Sequence, residues 1–530
     1  MSLNILKPNI FTSLLFLLIF YHLLSNLTWI FASTAPLPWD QAGHTRLALQ
    51  FADYFQSLGF LRVIDYFSIS TYYPPLIHTI AAIPIILFGH PVQTSEIVVT
   101  LFFIVSIILL YIYALDLFER KDVALISATI YSFLPIVIEH SRWFLLDIPL
   151  LTLILSALIF LNRSGNFTNK KYAQLFFIAL GFAALTKWTA FAYLLFPFLV
   201  TLYKWYKSNN EQQEMLKANI IKYLLILFFI VAPWYILNSS SFVSQAMPSL
   251  AGESSDPAKI FTFENFIFYI YIFFNFQMNI YMAFIFIIGA IYFFFRHKSE
   301  YKVLFAGTMF LIYLEFSLIS NKDWRYTLPI LPFAAIIIGV FLSKLAQKFK
   351  VFGMLIVLLI ISLLVLYDGI LSFRPATFHY QRAIKLPILG FIDYININDN
   401  LVHAYNRTVW PQNEILSNLN VNGRTWLLCL VDQERINAGN FLLTRDILNL
   451  RDLEIDSPPS QKFSTPEEIK LFLSKYSYVV IPQSQVGVPA TRNIDVYLQL
   501  RETVENIDSG FKKINTYNLP NGDILDLYSK

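Results

Sequence analysis

Residues 39–46 read WDQAGHTR and form the first polar break after the long hydrophobic run at residues 9–32. Asp40 is the first carboxylate of the chain, and it follows the point where that run is expected to leave a membrane. The polar connection continues past Pro74 and Pro75 to about residue 96. We therefore expect the rest of the chain to build a scaffold that holds Asp40 at a water–lipid boundary.

Composition places the chain among integral membrane proteins. Its 530 residues are 56% hydrophobic and 14% charged, whereas a soluble domain is about 45–50% apolar and about 25% charged. Aromatic residues make up 17%, which suits a lipid-facing surface with interfacial belts. The one cysteine, Cys429, excludes an intramolecular disulfide framework. The net charge of +4 comes from basic residues in short loops, so it indicates membrane topology rather than nucleic-acid binding.

Hydrophobic runs predict about eleven transmembrane helices. The first run has an apolar core of about 20 residues, longer than the roughly 7–15 of a signal peptide, so we expect it to be retained, although residues 31–35 offer small side chains for cleavage. Runs of about 18 residues span a bilayer, and shorter runs span it when flanking side chains snorkel. The predicted spans are residues 9–32, 97–118, 123–138, 148–161, 172–185, 188–206, 220–237, 276–295, 304–319, 328–345 and 351–371.

The apolar run at residues 76–88 differs from these, because it is short, carries His78 and contains Pro84. It favours a helix that lies in the interface or re-enters the membrane. If it does not cross, the Lys/Arg-rich loops share one side of the membrane, which the positive-inside rule makes cytoplasmic. Those loops carry Lys7, Arg120–Lys121, Arg163 with Lys170–Lys171, Lys204, Lys207 and Lys217, Arg296 with Lys298 and Lys302, and Lys344, Lys348 and Lys350.

The opposite, extracytoplasmic side then holds the first loop at residues 33–96, with its interfacial helices, and the long polar loop at residues 238–264. Residues 1–371 form the predicted membrane domain, and residues 372–530 form a predicted extracytoplasmic α/β domain of ordinary size. Strands are predicted at residues 426–431 and 478–481, a helix at 466–475, and a β-hairpin around the Pro-Asn-Gly turn within 515–528.

Ionisable residues near the membrane are predicted at the outer ends of helices. A proton-coupled carrier usually places acids near the midplane, so this distribution favours an enzyme that works at the outer interface. Glu315, toward the outer half of its helix, is the exception. The residues at outer ends are Asp40, His140, Arg142, Asp147, Lys187, Asp323 and Arg325.

Six short motifs over about residues 1–345 resemble the membrane glycosyltransferases of the GT-C fold. The resemblance is to the branch that contains protein O-mannosyltransferases and bacterial aminoarabinose transferases (ArnT-like enzymes). It implies a donor sugar on a polyprenyl phosphate and transfer on the outer face of the membrane. The motifs are WD at 39–40, YYPP at 72–75, SRWFLLDIP at 141–149, GFAALTK at 181–187, APWY at 232–235 and RYTLPILP at 325–332.

The chemistry of such a transfer needs a carboxylate base for the acceptor and cations for the leaving phosphate. Asp40 is the candidate base, and Asp147 is a second candidate catalytic acid. Arg325 is suited to bidentate phosphate binding, and Lys187 adds a point charge. Arg142 and Tyr73 complete the substrate-binding candidates, although the Pro pair after Tyr73 also suggests a purely architectural role.

Each candidate also has a structural explanation. Asp40 and Asp147 each stand near a helix start, where aspartate is a good cap. Arg325 has Asp323 nearby as a pairing partner, while Lys187 and Arg142 are placed to snorkel. A divalent cation held by Asp40 and Asp147 is a further alternative, which Gln41 weakens because many relatives carry an acid there. The histidines His44, His78 and His140 show no ligand spacing.

The sequence thus predicts a glycosyltransferase that moves a hexosyl or pentosyl group from a polyprenyl-phosphate donor, with inversion, to an acceptor lipid, protein or polysaccharide. The expected location is the plasma membrane of a bacterium, with a cytoplasmic N-terminus and an extracytoplasmic C-terminal domain. Two rivals are open: a transporter or flippase of a lipid-linked glycan, and a structural membrane subunit whose outer domain binds a partner.

Overall fold

A computed structural model describes residues 9–57, 62–251, 261–375, 380–386, 390–397, 405–459, 462–484, 494–506 and 509–530. Lys7 and the predicted loop residues 252–260 lie outside these ranges.

The described segments between residues 9 and 372 form helices. They are α1 (Ile10–Ala32), α2 (Trp39–Gln56), α3 (Val63–Ser68), α4 (Leu76–Phe88), α5 (Pro91–Phe118), α6 (Lys121–Ser132), α7 (Pro135–His140), α8 (Asp147–Arg163), α9 (Lys170–Ala184), α10 (Ala190–Tyr206), α11 (Asn210–Leu237), α12 (Ser239–Ala251), α13 (Phe263–Ile272), α14 (Asn279–Ile291), α15 (Lys302–Ser317) and α16 (Leu331–Ser372). Two π-helical segments, Phe273–Gln277 and Tyr292–Arg296, flank α14.

Five helical segments within the described residues are long and apolar enough to cross a membrane: Ile10–Ala32, Pro91–Phe118, Gln213–Leu237, Asn279–Arg296 and Leu328–Tyr367. The predicted count of eleven is therefore not confirmed.

Backbone breaks account for two of the differences from the predicted spans. The run at 123–138 is divided into α6 and α7 at Pro135, because proline cannot continue the preceding hydrogen-bonding pattern. The run at 276–295 is interrupted at Asn279, whose φ is +55°. The predicted division between 345 and 351 is present as a kink in α16 at Lys350, which has a φ of +47°.

The connection between α1 and α5 contains three helices. The short helix α4 has the bounds of the predicted non-crossing run, and it packs against α2 and α5. Small side chains at the contact, Ala48 and Ala52 on α2 and Ala81 on α4, are buried and allow the helices to approach closely. This packing holds the first turn of α2, with Asp40, at one end of the bundle.

Within the predicted outer loop at 238–264, residues Ser239–Ala251 form the helix α12. The segment is polar and was not predicted as a helix, and Phe242 of α12 packs against aromatic rings of neighbouring segments. The Phe242 ring centroid lies 6.1 Å from that of Trp188 and 6.1 Å from that of Trp234. Tertiary packing thus overrides the weak local propensity of the segment.

The C-terminal part contains a hairpin and a mixed five-stranded sheet. Its described elements are β1 (Tyr380–Leu386), β2 (Gly390–Ile397), α17 (Gln412–Ser417), β3 (Thr425–Cys429), β4 (Asp432–Gln433), β5 (Ile436–Asn437), α18 (Ala438–Ile447), β6 (Leu453–Asp456), α19 (Pro466–Ser474), β7 (Tyr478–Pro482), α20 (Ile494–Glu505), β8 (Lys512–Asn518) and β9 (Ile524–Ser529). The sheet order is β6-β3-β7-β9-β8, with β3 parallel to both β6 and β7, and β9 antiparallel to both β7 and β8. The predicted strands, helix and hairpin correspond to β3, β7, α19 and β8–β9.

The sheet domain docks onto α2 through α18. The Asp446 carboxylate accepts a hydrogen bond from Arg46 Nε at 2.8 Å. Asn440 donates to the Leu37 carbonyl at 2.6 Å, and the Trp39 amide donates to the Glu434 carbonyl at 3.1 Å. The helix that carries Asp40 is therefore held from both sides, by the helical bundle and by the sheet domain.

Candidate active site

Asp40 lies at the second position of α2, with its side chain half exposed. The helix is capped by Pro38 without a side-chain hydrogen bond, so the capping explanation of Asp40 is wrong. Its carboxylate instead accepts a hydrogen bond from Arg325 Nη2 at 3.0 Å. The two residues come from distant parts of the chain, and their contact requires the complete bundle.

Arg325 is the centre of an ion-pair cluster. Its Nε donates to the Asp323 carboxylate at 2.9 Å, so the pairing anticipated as its structural role is present, together with the bond to Asp40. Its Nη1 lies 3.9 Å from Asp147. Burial alone would lower the pKa of Arg325, but Asp323 and Asp147 outweigh it and raise that pKa above its usual range. The guanidinium is therefore charged and is shared among three carboxylates.

Asp147 and Lys187 form the second ion pair of the cluster. Asp147 is the first residue of α8, and the cap position before it is Leu146 without a side-chain hydrogen bond, so Asp147 is not a cap. Lys187 Nζ donates to its carboxylate at 3.0 Å and lies 5.5 Å from the ring centroid of Tyr326. Burial opposes ionisation, but Lys187 and Arg325 hold the pKa of Asp147 well below its usual range.

Aromatic and histidine side chains line the region around this cluster. Tyr73 is close to Asp40, and burial together with that negative charge raises the pKa of its phenol. Its ring contacts the imidazole of His44 at a centroid distance of 4.5 Å. His44 Nδ1 lies 2.9 Å from His78 Nε2, which joins α2 to α4. Burial, with Arg325 and Lys187 nearby, lowers the pKa of His44 to about 3.

The structure places Arg142 in a different environment. This side chain is 1% exposed, and it donates hydrogen bonds to polar groups on α1 and at the end of α16. Nε donates to Asn26 at 2.8 Å, and Nη2 donates to Ser25 at 2.7 Å and to Ser372 at 2.6 Å. Arg142 thus fastens two helices together and does not snorkel.

Among the residues that the structure describes, no group of three or more His, Cys, Asp and Glu side chains is placed to hold a metal ion. Between the carboxylates of Asp40 and Asp147 lies the guanidinium of Arg325, which contacts both.

Sequence reasoning missed the environment of His44, whose only sequence signal is its position four residues after Asp40 on one helical face. Its partner is set by the rotation of α4, which the sequence does not determine.

The fold is similar to that of ArnT from Cupriavidus metallidurans, solved bound to undecaprenyl phosphate and in the apo state. Each alignment has a TM-score of 0.59 at 13% identity and covers 97% of this chain and 98% of that chain. The chain has the GT-C fold. This confirms the predicted fold class.

Residues 9–246 of this GT-C chain match the sequence model of the family described as dolichyl-phosphate-mannose-protein mannosyltransferase. Family match and fold together indicate a glycosyltransferase. A further alignment, to the Pmt1-Pmt2 complex of S. cerevisiae bound to the sugar donor, has 16% identity, covers 45% of this chain and 34% of that chain, and has a TM-score of 0.32, too low to carry weight. No curated protein sequence matches the chain.

Proposed function

We propose that this protein transfers a sugar from a polyprenyl-phosphate-linked donor to an acceptor on the extracytoplasmic face of the membrane. The observation that carries the proposal is the contact between Asp40 and Arg325 next to the Lys187–Asp147 pair. It places a half-exposed carboxylate beside two cations. The similarity to an ArnT structure that contains undecaprenyl phosphate supports a lipid-phosphate donor.

Arg325 and Lys187 bind the phosphate of the donor in this mechanism. The leaving group is already a weak base, so it needs charge stabilisation more than a proton. A guanidinium binds a phosphate through two parallel hydrogen bonds, while an ammonium acts as a compact point charge. The Lys187 ammonium lies 5.5 Å from the Tyr326 ring centroid, and the ring face attracts a positive charge.

Asp40 acts as the general base and takes a proton from the acceptor hydroxyl or amine. Its carboxylate is bonded to Arg325, and an incoming phosphate competes for the same guanidinium. Phosphate binding therefore releases Asp40 at the moment when the acceptor needs a base. Direct attack with one base inverts the anomeric centre, so the product should have the opposite anomeric configuration to the donor.

Asp147 has a supporting role in this scheme. It is 7% exposed, and its carboxylate fixes the Lys187 ammonium while it also faces Arg325. A buried carboxylate held this way orients two cations for the phosphate. Arg142, enclosed by the hydroxyl and amide groups of α1 and α16, belongs to the support of the bundle.

The orientation of the protein in the membrane follows from its basic residues. Asp147 and Arg163 are at opposite ends of α8, about 24 Å apart at a rise of about 1.5 Å per residue. The site at the Asp147 end then faces the outside of a bacterial plasma membrane, and the basic loops face the cytoplasm. The acceptor, whether lipid, protein or polysaccharide, reaches Asp40 from the outer side.

Replacing Asp40 by Asn tests the proposal. The variant should lose sugar transfer by at least about a hundredfold, because general base catalysis contributes about 10²–10⁴. It should still bind undecaprenyl phosphate, because Arg325 and Lys187 are intact. The assay uses purified protein in liposomes with polyprenyl-phosphate hexose and pentose donors and an envelope extract as acceptor.

The control is Asp65→Asn, an exposed aspartate on α3 in the same connection, which should transfer at the wild-type rate. Full transfer by Asp40→Asn would refute the base assignment. Movement of a lipid-linked glycan across the bilayer without any transfer, unaffected by the substitution, would favour a flippase.

A further inference from the structure

His44 is a buried polar side chain that the proposed mechanism does not use. It is 4% exposed and lies one helical turn after Asp40 on α2. Side chains four residues apart lie on the same face of a helix. His44 is therefore on the face of α2 that carries the candidate base.

The imidazole of His44 is held in place on one edge. Its Nδ1 lies 2.9 Å from Nε2 of His78, which is fully buried in α4. The Tyr73 ring contacts it with a centroid distance of 4.5 Å and an interplanar angle of 63°. These contacts fix the plane of the ring, so the position of its other nitrogen is also fixed.

That other nitrogen, Nε2, has no hydrogen-bond partner within the described part of the chain. A neutral imidazole has one nitrogen that donates and one that accepts, and buried polar groups of this kind are normally paired. Nδ1 is satisfied by His78, whereas Nε2 is free to bind a group that enters the site. Because the ring is fixed, this nitrogen is available to a group that enters the site.

The charges near His44 indicate which ligand this is. His44 lies one turn after Asp40 on α2 and contacts the Tyr73 ring, and Arg325, Lys187 and Asp147 all act electrostatically on its imidazole. In the donor, the sugar is joined to the phosphate through a single oxygen. The transferred sugar ring would lie between the phosphate site and Asp40, on the side of α2 that carries His44.

We propose that Nε2 of His44 hydrogen-bonds a hydroxyl group of the donor sugar, with His78 fixing its orientation. This inference rests on the proposed function and makes His44 a specificity residue for the sugar. Tyr73, which contacts the His44 ring, offers an apolar surface to the carbon atoms of the sugar ring. Burial and the nearby cations keep the imidazole neutral, so it selects a hydroxyl group rather than a second anion.

Two substitutions separate the two edges of the ring. Asn in place of His44 keeps an amide near Nδ1, where it meets His78, and removes the polar atom at the Nε2 position. Gln in place of His44 keeps a polar atom near the Nε2 position and removes the one that meets His78. The experiment measures kcat/KM of each variant with the polyprenyl-phosphate sugar that the wild type uses and with its monodeoxy analogues.

The wild type should discriminate against one monodeoxy analogue by about tenfold or more, because a site built to bond a hydroxyl rejects the analogue that lacks it. In His44→Asn that discrimination should fall to within about twofold, while His44→Gln should retain part of it. Undecaprenyl phosphate should bind both variants as it binds the wild type. His90→Asn, an exposed histidine between α4 and α5, should behave as wild type.

If His44 had only a structural role, His44→Asn would lower kcat/KM equally for all donors and leave the discrimination unchanged. That result would overturn this inference but not the proposed function. Wild-type protein that transfers no sugar from any polyprenyl-phosphate donor would overturn the proposed function, and this inference with it.

Discussion

At the scale of single residues, the site depends on the sharing of one guanidinium. Three carboxylates, from Asp40, Asp147 and Asp323, surround Arg325, and Lys187 pairs with one of them. Three negative and two positive groups give the cluster a formal charge of −1. An anionic donor must therefore displace a carboxylate, and Asp40 is the best candidate because it is the most exposed, at 49%. Exposure thus separates the residue that reacts from those that position it.

The burial of His44 predicts a pH dependence of stability. Its pKa falls from 6.5 to about 3 on folding, so between these values the unfolded chain binds a proton that the folded protein does not. The contribution of His44 to stability is complete above about pH 6.5 and is lost as pH falls toward 3. At pH 5 the loss should be about 2 kcal/mol.

The measurement is thermal unfolding in detergent between pH 7 and pH 5, for wild type and His44→Asn. The groups that act on His44 are His78, Arg325, Lys187 and Asp147, and all are retained in the variant. The variant should therefore lose less stability than the wild type over this range. Parallel profiles for the two proteins would show that His44 is not the titrating group.

Sequence alone identified the charged residues of the cluster but not their contacts. Asp40, Asp147, Lys187 and Arg325 were selected because each was expected at an outer helix end, and the structure brings them together. Which charged side chains pair depends on how each helix is rotated about its own axis, and hydrophobic runs in the sequence do not determine that rotation. Arg142 stands at a similar place in the sequence, yet its side chain turns to Asn26 and Ser25.

At the scale of elements, a π-helical segment supports the loop that carries Arg325. Gln277 ends the segment Phe273–Gln277 and is 1% exposed. Its amide donates to the Trp324 carbonyl at 2.7 Å and to the Thr327 hydroxyl at 2.8 Å. These partners flank Arg325, so one side chain fixes the backbone on both sides of the guanidinium. Short π-helical segments within helices are often found at functional sites.

Gln277→Met should raise KM for the donor and weaken undecaprenyl phosphate binding, each by about five- to tenfold, since about 1 kcal/mol or more is lost when a buried carbonyl is left unpaired. Methionine fills a similar volume, so the folded structure should persist. The measurements are donor kinetics and lipid-phosphate binding.

The matched control is Gln213→Met at the start of α11, where the glutamine also makes two hydrogen bonds, to the Tyr206 and Ser208 carbonyls. It should leave donor kinetics unchanged. If the two substitutions had equal effects on donor kinetics, the π-helical segment would have no special role in donor binding.

Helices and strands were predictable where hydrophobicity or a turn sequence alone was enough to locate them. The apolar run of α4 and the hairpin β8–β9 were located from hydrophobicity and turn residues alone. The helix α12 was missed because its stability comes from the aromatic contacts of Phe242 with Trp188 and Trp234. The π-helical segment was also missed, since nothing in its local sequence distinguishes it from an ordinary apolar helix.

At the scale of the whole molecule, the sheet domain is coupled to the base through α2. It was predicted from composition as a separate unit, and its position against α2 was not predictable, because the residues that join the two are far apart in the sequence. Arg46 pairs with Asp446 two turns after the helix start, and the Trp39 amide is bonded to the sheet domain next to Asp40. Loss of this docking should move the base relative to Arg325.

Arg46→Met tests this coupling. The Arg46–Asp446 pair is partly exposed, so its loss should cost only about 1 kcal/mol of stability, but it should lower kcat more than it lowers affinity for undecaprenyl phosphate. Displacement of a catalytic group by a small distance reduces the rate while the phosphate cations stay in place. Lys475→Met breaks the Lys475–Asp456 pair elsewhere in the same domain and should change neither quantity. If both substitutions changed kcat equally, the effect would come from general destabilisation of the domain, and α2 would not connect the two halves of the protein.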